Sequence, residues 1–130
     1  MSFKKVIDSF VILAESAEMV ISRCPWTAER TIEDFAVALE SEMEEVLVAV
    51  RDQDQDNLKE ELGDLLWDTV ICVLLAEKNG LFEASEVLDQ VVQKMRRRKP
   101  FIFNGTSVTV AEAELIWAEA KREEKESQSK

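Results

Sequence analysis

The sequence predicts an all-α fold, a helical bundle of about five helices around a central antiparallel helical hairpin. Apolar residues recur at intervals of three and four in five stretches, which is the period of a helix with one buried face. The 130 residues contain only 3 Gly and 2 Pro, too few turn signals for a many-stranded fold. Two Thr-x-x-acid patterns precede apolar runs, as helix-capping boxes do.

The first helix is predicted over about residues 3–22. Its acids Asp8, Glu15 and Glu18 interrupt the apolar run, which therefore indicates an amphipathic helix and not a signal peptide. Pro25 disfavours a helical residue before it and ends the segment. The predicted buried stripe consists of Phe3, Val6, Ile7, Phe10, Leu13, Ala14, Ala17, Val20 and Ile21.

Two longer helices follow, over about residues 32–51 and 56–79. Thr31 with Asp34 predicts a capping box at the start of the first, and Asn79-Gly80 predicts a left-handed end for the second. Their short polar connection favours an antiparallel pair. The predicted core-facing arcs are Ile32, Phe35, Leu39, Met43, Val46 and Val50 on the first, and Leu58, Leu62, Leu65, Thr69, Cys72, Val73 and Ala76 on the second, whose later turns are apolar on most sides.

A fourth helix is predicted over about residues 84–98 and a last one over about 110–124. The segment between them is predicted to be a loop, and Thr109 with Glu112 forms a second capping box. The tail from 125 is predicted to be frayed. The expected buried faces consist of Ala84, Leu88, Val91, Val92 and Met95, and of Val110, Ala113, Ile116, Trp117 and Ala120.

Length and charge limit the classes of protein to which the chain can belong. Residues 1–130 have the size of a single domain. A formal net charge of −11 argues against a nucleic-acid-binding protein, and no apolar run is long enough to span a membrane. Cys24 and Cys72 form neither a zinc motif nor a disulfide framework, which fits a reducing cytoplasm.

Four acids on the two central helices stand out because they are spaced in pairs. Glu42 with Glu45 and Glu61 with Asp64 each project from one helix face, and both faces lie on the same side of an antiparallel pair. Carboxylates without histidine or a cysteine pair select hard ions, Mg²⁺ first, Mn²⁺ second, with Ca²⁺ as a further option. The alternative is a solvated acidic rim, because 27 acids in a helical chain produce such spacings by chance.

A basic run, residues 96–99, ends the fourth helix. Cations at a helix C-terminus need no function, but in so acidic a chain this run is also a candidate phosphate site. Trp117 and Lys121 are one turn apart and are candidates to present a ring and a cation to one ligand. The alternative is that Trp117 belongs to the core and Lys121 is solvated. Trp26 is interpreted as a packing anchor after Pro25.

Taken in order, these motifs carry a resemblance to a known family. The set is CPW (24–26), ExxE (42–45), EELGDLL (60–66), RRRKPFIF (96–103) and WxxxK (117–121). It resembles the MazG family of nucleoside triphosphate pyrophosphohydrolases, within the all-α NTP pyrophosphatase superfamily, over nearly the whole chain from about residue 22.

The resemblance implies a function and a site. It implies Mg²⁺-dependent hydrolysis of an NTP or dNTP to the monophosphate and pyrophosphate, in nucleotide-pool house-cleaning, by a homodimer or homotetramer whose assembly completes the bundle. By resemblance, the acids of the two pairs are the metal ligands and catalytic residues. Lys94 and Arg98 match cations that hold the phosphates, and Trp117 and Lys121 match residues near the nucleotide.

Several positions depart from the family pattern. Ser41 replaces the first of two adjacent acids, and Ala38 and Asn57 stand where some members have lysine. Lys99-Pro100-Phe101 replaces a His-Pro-His stretch, so no histidine base is present. Asp68 is an additional acid on the rim, expected behind the metal ligands. These departures motivate an alternative function, a catalytically silent helical oligomerisation or regulatory module; a third hypothesis restricts the substrate to one dNTP, as in related dCTP and dUTP hydrolases.

Overall fold

The computed structural model describes residues 2–129 and confirms the all-α prediction, with no strand in that range. The two short helices lie in segments predicted as an interruption and a loop, and each begins at a proline, the residue best suited to a first helical position. The helices are α1 (Phe3–Arg23), α2 (Pro25–Ala28), α3 (Ile32–Arg51), α4 (Gln55–Lys78), α5 (Ala84–Arg98), α6 (Pro100–Asn104) and α7 (Val110–Gln128).

The ends of the long helices follow from local side-chain chemistry. At α3 the Asp34 N–H donates to Thr31 Oγ1 at 3.1 Å and the Thr31 N–H donates to Asp34 Oδ2 at 2.9 Å, so the predicted capping box is confirmed. The predicted box of Thr109 and Glu112 is confirmed at α7. Gly80 has φ of 76°, the left-handed value expected past the end of α4. The last helix extends beyond its predicted end, to Gln128.

The chain divides into two compact units, residues 1–84 and 85–130. In the first unit α1 and α3 pack against α4, and apolar side chains from all three helices form the core. Ile71 is fully buried and is the centre of that core. The core cluster consists of Ala17, Ile21, Phe35, Ile71 and Leu75.

The predicted burial of the apolar faces is wrong in several places. Phe3, Ile7 and Phe10 are 69%, 57% and 53% exposed, so α1 contributes to the buried core through its C-terminal half. A periodic apolar face shows which side of a helix avoids water but not whether another element reaches it. Other predicted core residues that are exposed are Val6, Ala14, Met43, Val50, Leu62, Thr69, Leu88, Val91, Val92 and Val110.

Trp26 is itself half exposed, although it makes the packing contact that was expected. Its ring meets Phe35 edge-on with centroids 6.1 Å apart, and the Arg30 guanidinium lies 4.4 Å from its centroid. None of the helices in residues 2–129 has the length and apolar content that a membrane crossing requires.

Candidate functional site

The hairpin of α3 and α4 is antiparallel, as predicted. Residues 52–54 connect the two helices, which pack along their length. Late residues of α3 face early residues of α4, since Val48 lines the same cavity as Asn57. This cavity of about 420 Å³ opens beside the acidic pairs and is lined by Ser41, Glu44, Glu45, Val48, Asn57 and Glu61.

Three of the four predicted acids meet on this hairpin. One carboxylate oxygen each from Glu42, Glu45 and Glu61 lies within 4.8 Å of the others. Glu42 and Glu61 are half-buried, and the Oε2 atom of each is shielded from solvent without a hydrogen-bond partner among residues 2–129. A buried oxygen without a donor destabilises a fold. The carboxylates therefore fit a divalent cation, and an all-oxygen set suits a hard ion.

The proximity of these acids changes the proton affinity of Glu61. The pKa of Glu61 is raised to about 8, first because a protonated Glu61 can hydrogen-bond the nearby carboxylates of Glu45 and then Glu42, and then because of burial and the charges of the same two residues. A carboxyl that retains its proton near neutral pH is the response expected when negative groups gather without a cation. Hence metal binding here must displace a proton.

The pKa of Glu42 is also raised, but by a different balance of effects. Its interaction with Glu61 lowers the pKa, but burial and the charges of Glu45 and Asp64 outweigh that interaction, so the pKa of Glu42 is raised. Asp64 is exposed and does not belong to the group of three, although its charge acts on Glu42. The predicted fourth ligand thus lies at the edge of the cluster, and its role stays a prediction.

Two of the departures from the family pattern, Ser41 and Asn57, lie beside this cluster. Ser41 and Asn57 line its cavity, so they border the place where a ligand would enter. Asp68 is half-buried; burial first and then the charge of Asp64 raise its pKa. It extends the acidic rim one turn beyond Asp64 along α4.

In the second unit every cation of the basic run contacts a carboxylate or an aromatic ring. Arg97 Nε lies 3.1 Å from Glu124 Oε1, and Arg98 Nη2 lies 2.9 Å from Glu124 Oε2. Arg96 lies 4.4 Å from the ring centroid of Phe103. Arg98 and Lys99 lie 5.0 and 5.5 Å from the ring centroid of Trp117.

Three of the four predicted substrate residues lie together in this unit. Trp117 is half-buried against Arg98, and Arg98 lines a cavity of about 440 Å³ with Lys121. Lys94 is exposed one turn earlier on α5 and does not line that cavity. The remaining lining residues are Arg122, Glu124, Lys125 and Gln128.

Sequence reasoning missed Glu124, which contacts two arginines of the basic run. The signal was present in the helical period, since Trp117, Lys121 and Glu124 are separated by four and three residues and so share one face of α7. Glu124 is the last residue of the predicted helix, and its spacing alone does not indicate which cations it contacts.

Comparison with known proteins identifies the family. Residues 30–103 match the family model of the MazG nucleotide pyrophosphohydrolase domain. A nucleoside triphosphate pyrophosphohydrolase from Escherichia coli K12 is 31% identical over 120 residues, which are 92% of this chain and 46% of that protein. One from Mycobacterium tuberculosis is 34% identical over 107 residues, 81% of this chain and 33% of that protein. The chain therefore spans less than half the length of these two relatives.

A solved structure supports the same family assignment as the sequence relatives. The crystal structure of a MazG-related protein from Thermotoga maritima superposes with a TM-score of 0.80 at 36% identity, covering 85% of this chain and 96% of that one. The matched family domain contains the acidic cluster and the basic run. By sequence and by fold, this chain belongs to the MazG family of nucleotide pyrophosphohydrolases.

Proposed function

We propose that the chain is a Mg²⁺-dependent enzyme that hydrolyses nucleoside triphosphates, ribo or deoxy, to the monophosphate and pyrophosphate, and that it serves nucleotide-pool house-cleaning. The observation that carries the proposal is the meeting of Glu42, Glu45 and Glu61 on one hairpin, with two shielded carboxylate oxygens that lack partners among the described residues. The two relatives described above carry the corresponding name.

In this proposal the acidic cluster holds the metal. Glu42, Glu45 and Glu61 are the ligands, with Asp64 joining from the edge. Bound Mg²⁺ supplies positive charge that offsets the carboxylates and polarises phosphoryl oxygens. Glu61 must first release the proton that its raised pKa retains.

The remaining roles fall to side chains of this chain. The sequence contains no histidine, and we assign the orientation of the attacking water and the acceptance of its proton to a carboxylate of the cluster. Glu45 is the solvent-exposed member of the three. Lys94, Arg98 and Lys121 balance the charge of the phosphates, and Trp117 contacts the nucleotide. Attack at the α-phosphorus breaks the α–β anhydride bond and releases pyrophosphate.

The test is a substrate panel with product identification. Incubated with NTPs and dNTPs plus Mg²⁺, the protein is expected to form monophosphate and pyrophosphate, and Glu61→Ala is expected to abolish both. Glu60→Gln is the matched control, since Glu60 is the exposed neighbour of Glu61 and lies outside the cluster. Release of orthophosphate, or a Glu61→Ala variant as active as wild type, would contradict the proposal.

A second function, a silent oligomerisation or regulatory module, is favoured by the exposed apolar side chains of α1. Phe3, Ile7 and Phe10 together form a surface suited to self-association. A homodimer or homotetramer serves both functions, so assembly alone does not separate them. Sedimentation measures the assembly, and the substrate panel decides between enzyme and silent module.

A further inference from the structure

Two neighbouring arginines at the end of α5 are held by a single carboxylate. Consecutive side chains on a helix diverge by about 100°, so Arg97 and Arg98 have no reason of their own to meet one group. Glu124 contacts both, through Oε1 to Arg97 Nε at 3.1 Å and through Oε2 to Arg98 Nη2 at 2.9 Å. This carboxylate therefore ties the basic end of α5 to α7.

Arg98 is fixed from a second side by an aromatic ring. Its guanidinium carbon lies 5.0 Å from the centroid of Trp117, and its side chain is 16% exposed, against 53% for Arg97. A guanidinium that already contacts a ring and a carboxylate loses little further side-chain freedom when it binds another group. Arg98 is thus preorganised, whereas Arg97 is anchored through one contact at the surface.

Arg98 keeps hydrogen-bonding capacity despite this clamp. A guanidinium has five N–H donors, and the contact with Glu124 uses Nη2. Its Nε is shielded from water and has no partner in the described part of the chain. Arg98 also lines the cavity that Lys121, Arg122 and Lys125 border, so four cations and one carboxylate surround that space. Arg122 is paired with Glu119 and Glu126. Lys121 and Lys125 therefore stand beside Arg98 as the cations that favour an oxyanion in a chain of net charge −11.

We propose that Glu124 is a positioning residue that holds the Arg98 guanidinium in place for a phosphate group of the triphosphate. The inference rests on the proposed function for the identity of the ligand. Glu124 acts through Arg98 and does not itself touch substrate. The hydrogen bond from Arg98 comes first among the causes that lower the pKa of Glu124, so the carboxylate is charged near neutral pH.

The kinetic test uses Glu124→Gln. An amide has one acceptor oxygen, and its NH₂ would face an arginine, so glutamine cannot hold both. Since both arginines make charge-assisted hydrogen bonds to Glu124, we expect KM to rise roughly tenfold or more while kcat stays within about twofold. Glu123→Gln is the matched control: Glu123 is the exposed neighbour, makes no ion pair among residues 2–129, and should leave KM unchanged.

A double-mutant cycle separates positioning from stabilisation. Arg98→Lys is expected to raise KM by itself, and adding Glu124→Gln should then change KM little, because both substitutions act through the same guanidinium. If the two effects multiply, or if Glu124→Gln lowers the melting temperature with KM unaltered, Glu124 is only structural and the inference is overturned.

Binding of pyrophosphate to the full chain, measured by calorimetry in metal-free buffer, tests the inference without turnover. We expect wild type and Glu123→Gln to bind it alike, and Glu124→Gln to bind it roughly tenfold more weakly. A wild-type protein that hydrolyses nothing yet shows this difference would contradict the proposed function and leave the positioning role standing. Equal binding by all three, or no binding by wild type, would refute the positioning role.

Discussion

The acidic hairpin of α3 and α4 differs from the basic end of α5 in whether its charged side chains have partners. On the hairpin three carboxylates gather, and no salt bridge to any of them occurs within residues 2–129. At the end of α5, each of the four cations has a carboxylate or an aromatic ring beside it. The carboxylates of the first region therefore repel one another unless a cation is added, whereas the cations of the second already have partners that hold them in place.

Removing one charge from the hairpin should have the largest effect on activity. In Glu42→Gln we expect Mg²⁺-dependent hydrolysis to fall at least about 100-fold, since even partners behind the ligands cost roughly 10–100-fold when removed. Without metal the same variant should melt at a higher temperature, because one repelling carboxylate is gone. Glu40→Gln, an exposed acid on the same helix, should change neither quantity. Steady-state rates and thermal melts check both, and an active Glu42→Gln would contradict the ligand assignment.

Adding Mg²⁺ should stabilise the hairpin in wild type and not in Glu42→Gln. At a Mg²⁺ concentration about 100 times Kd, binding to the folded state alone adds about 2.7 kcal/mol to the free energy of unfolding. Urea unfolding with and without Mg²⁺ measures the gain. An equal gain in the variant would mean that Mg²⁺ acts elsewhere.

The two regions should also respond to pH in opposite directions. The pKa of Glu61 is raised from 4.5 to about 8, so the folded metal-free protein binds more protons than the unfolded chain between these values. Its contribution is present below pH 4.5 and is lost as the pH rises to about 8. The pKa of Glu124 is lowered by Arg98, so its contribution is present above pH 4.5 and is lost as the pH falls through the lowered value.

Urea unfolding across pH, in metal-free buffer, separates these contributions. Glu61→Gln should flatten the profile between pH 4.5 and about 8, and Glu124→Gln should alter only the acid limb. A profile that Glu61→Gln leaves unchanged would mean that Glu61 titrates normally.

Loss of a capping box should have a smaller effect on stability, and this effect can be compared between the two units. Thr31→Ala removes the side-chain acceptor at the start of α3, and we expect a loss of about 1 kcal/mol in the free energy of unfolding. Thr109→Ala removes the equivalent bond at α7 and should cost a similar amount. Serine at either position preserves the hydroxyl and serves as the control. Chemical denaturation checks both pairs, and losses that serine does not rescue would point to the methyl group.

The smallest expected effect is at the turn of the hairpin. Gln53 has φ of 53°, a left-handed conformation that costs a non-glycine residue about 1–2 kcal/mol. Gln53→Gly relieves that strain but loses roughly 0.5–1 kcal/mol to chain entropy. We expect a net gain of about 0.5 kcal/mol in chemical denaturation, with Gln55→Gly, in helical conformation, as a destabilising control. A destabilised Gln53→Gly would show that the side chain has a role at the turn.

Local signals predicted the ends of α1, α3, α4 and α5 to within one residue, and the start but not the end of α7. Pro25 stops α1, Thr31 starts α3 and Gly80 follows α4, because capping and proline sterics act over a few residues. Burial was predicted less well: Ile7 and Phe10 lie on an apolar face that stays more than half exposed. Burial of such a face depends on contacts with residues distant in sequence, and the local apolar periodicity carries no information about them.

The sequence by itself determined the helices, the acid pairs and the basic run, since each depends on neighbours within one or two turns. Only the tertiary structure decided that Glu61 lies against Glu42 and Glu45 while Asp64 stays at the edge, and that Glu124 joins Arg97 to Arg98. Electrostatic energies depend on distances across helices and on lost solvent. For that reason a spacing of three predicts a shared face, whereas the pKa of Glu61, raised to about 8, required the packed hairpin.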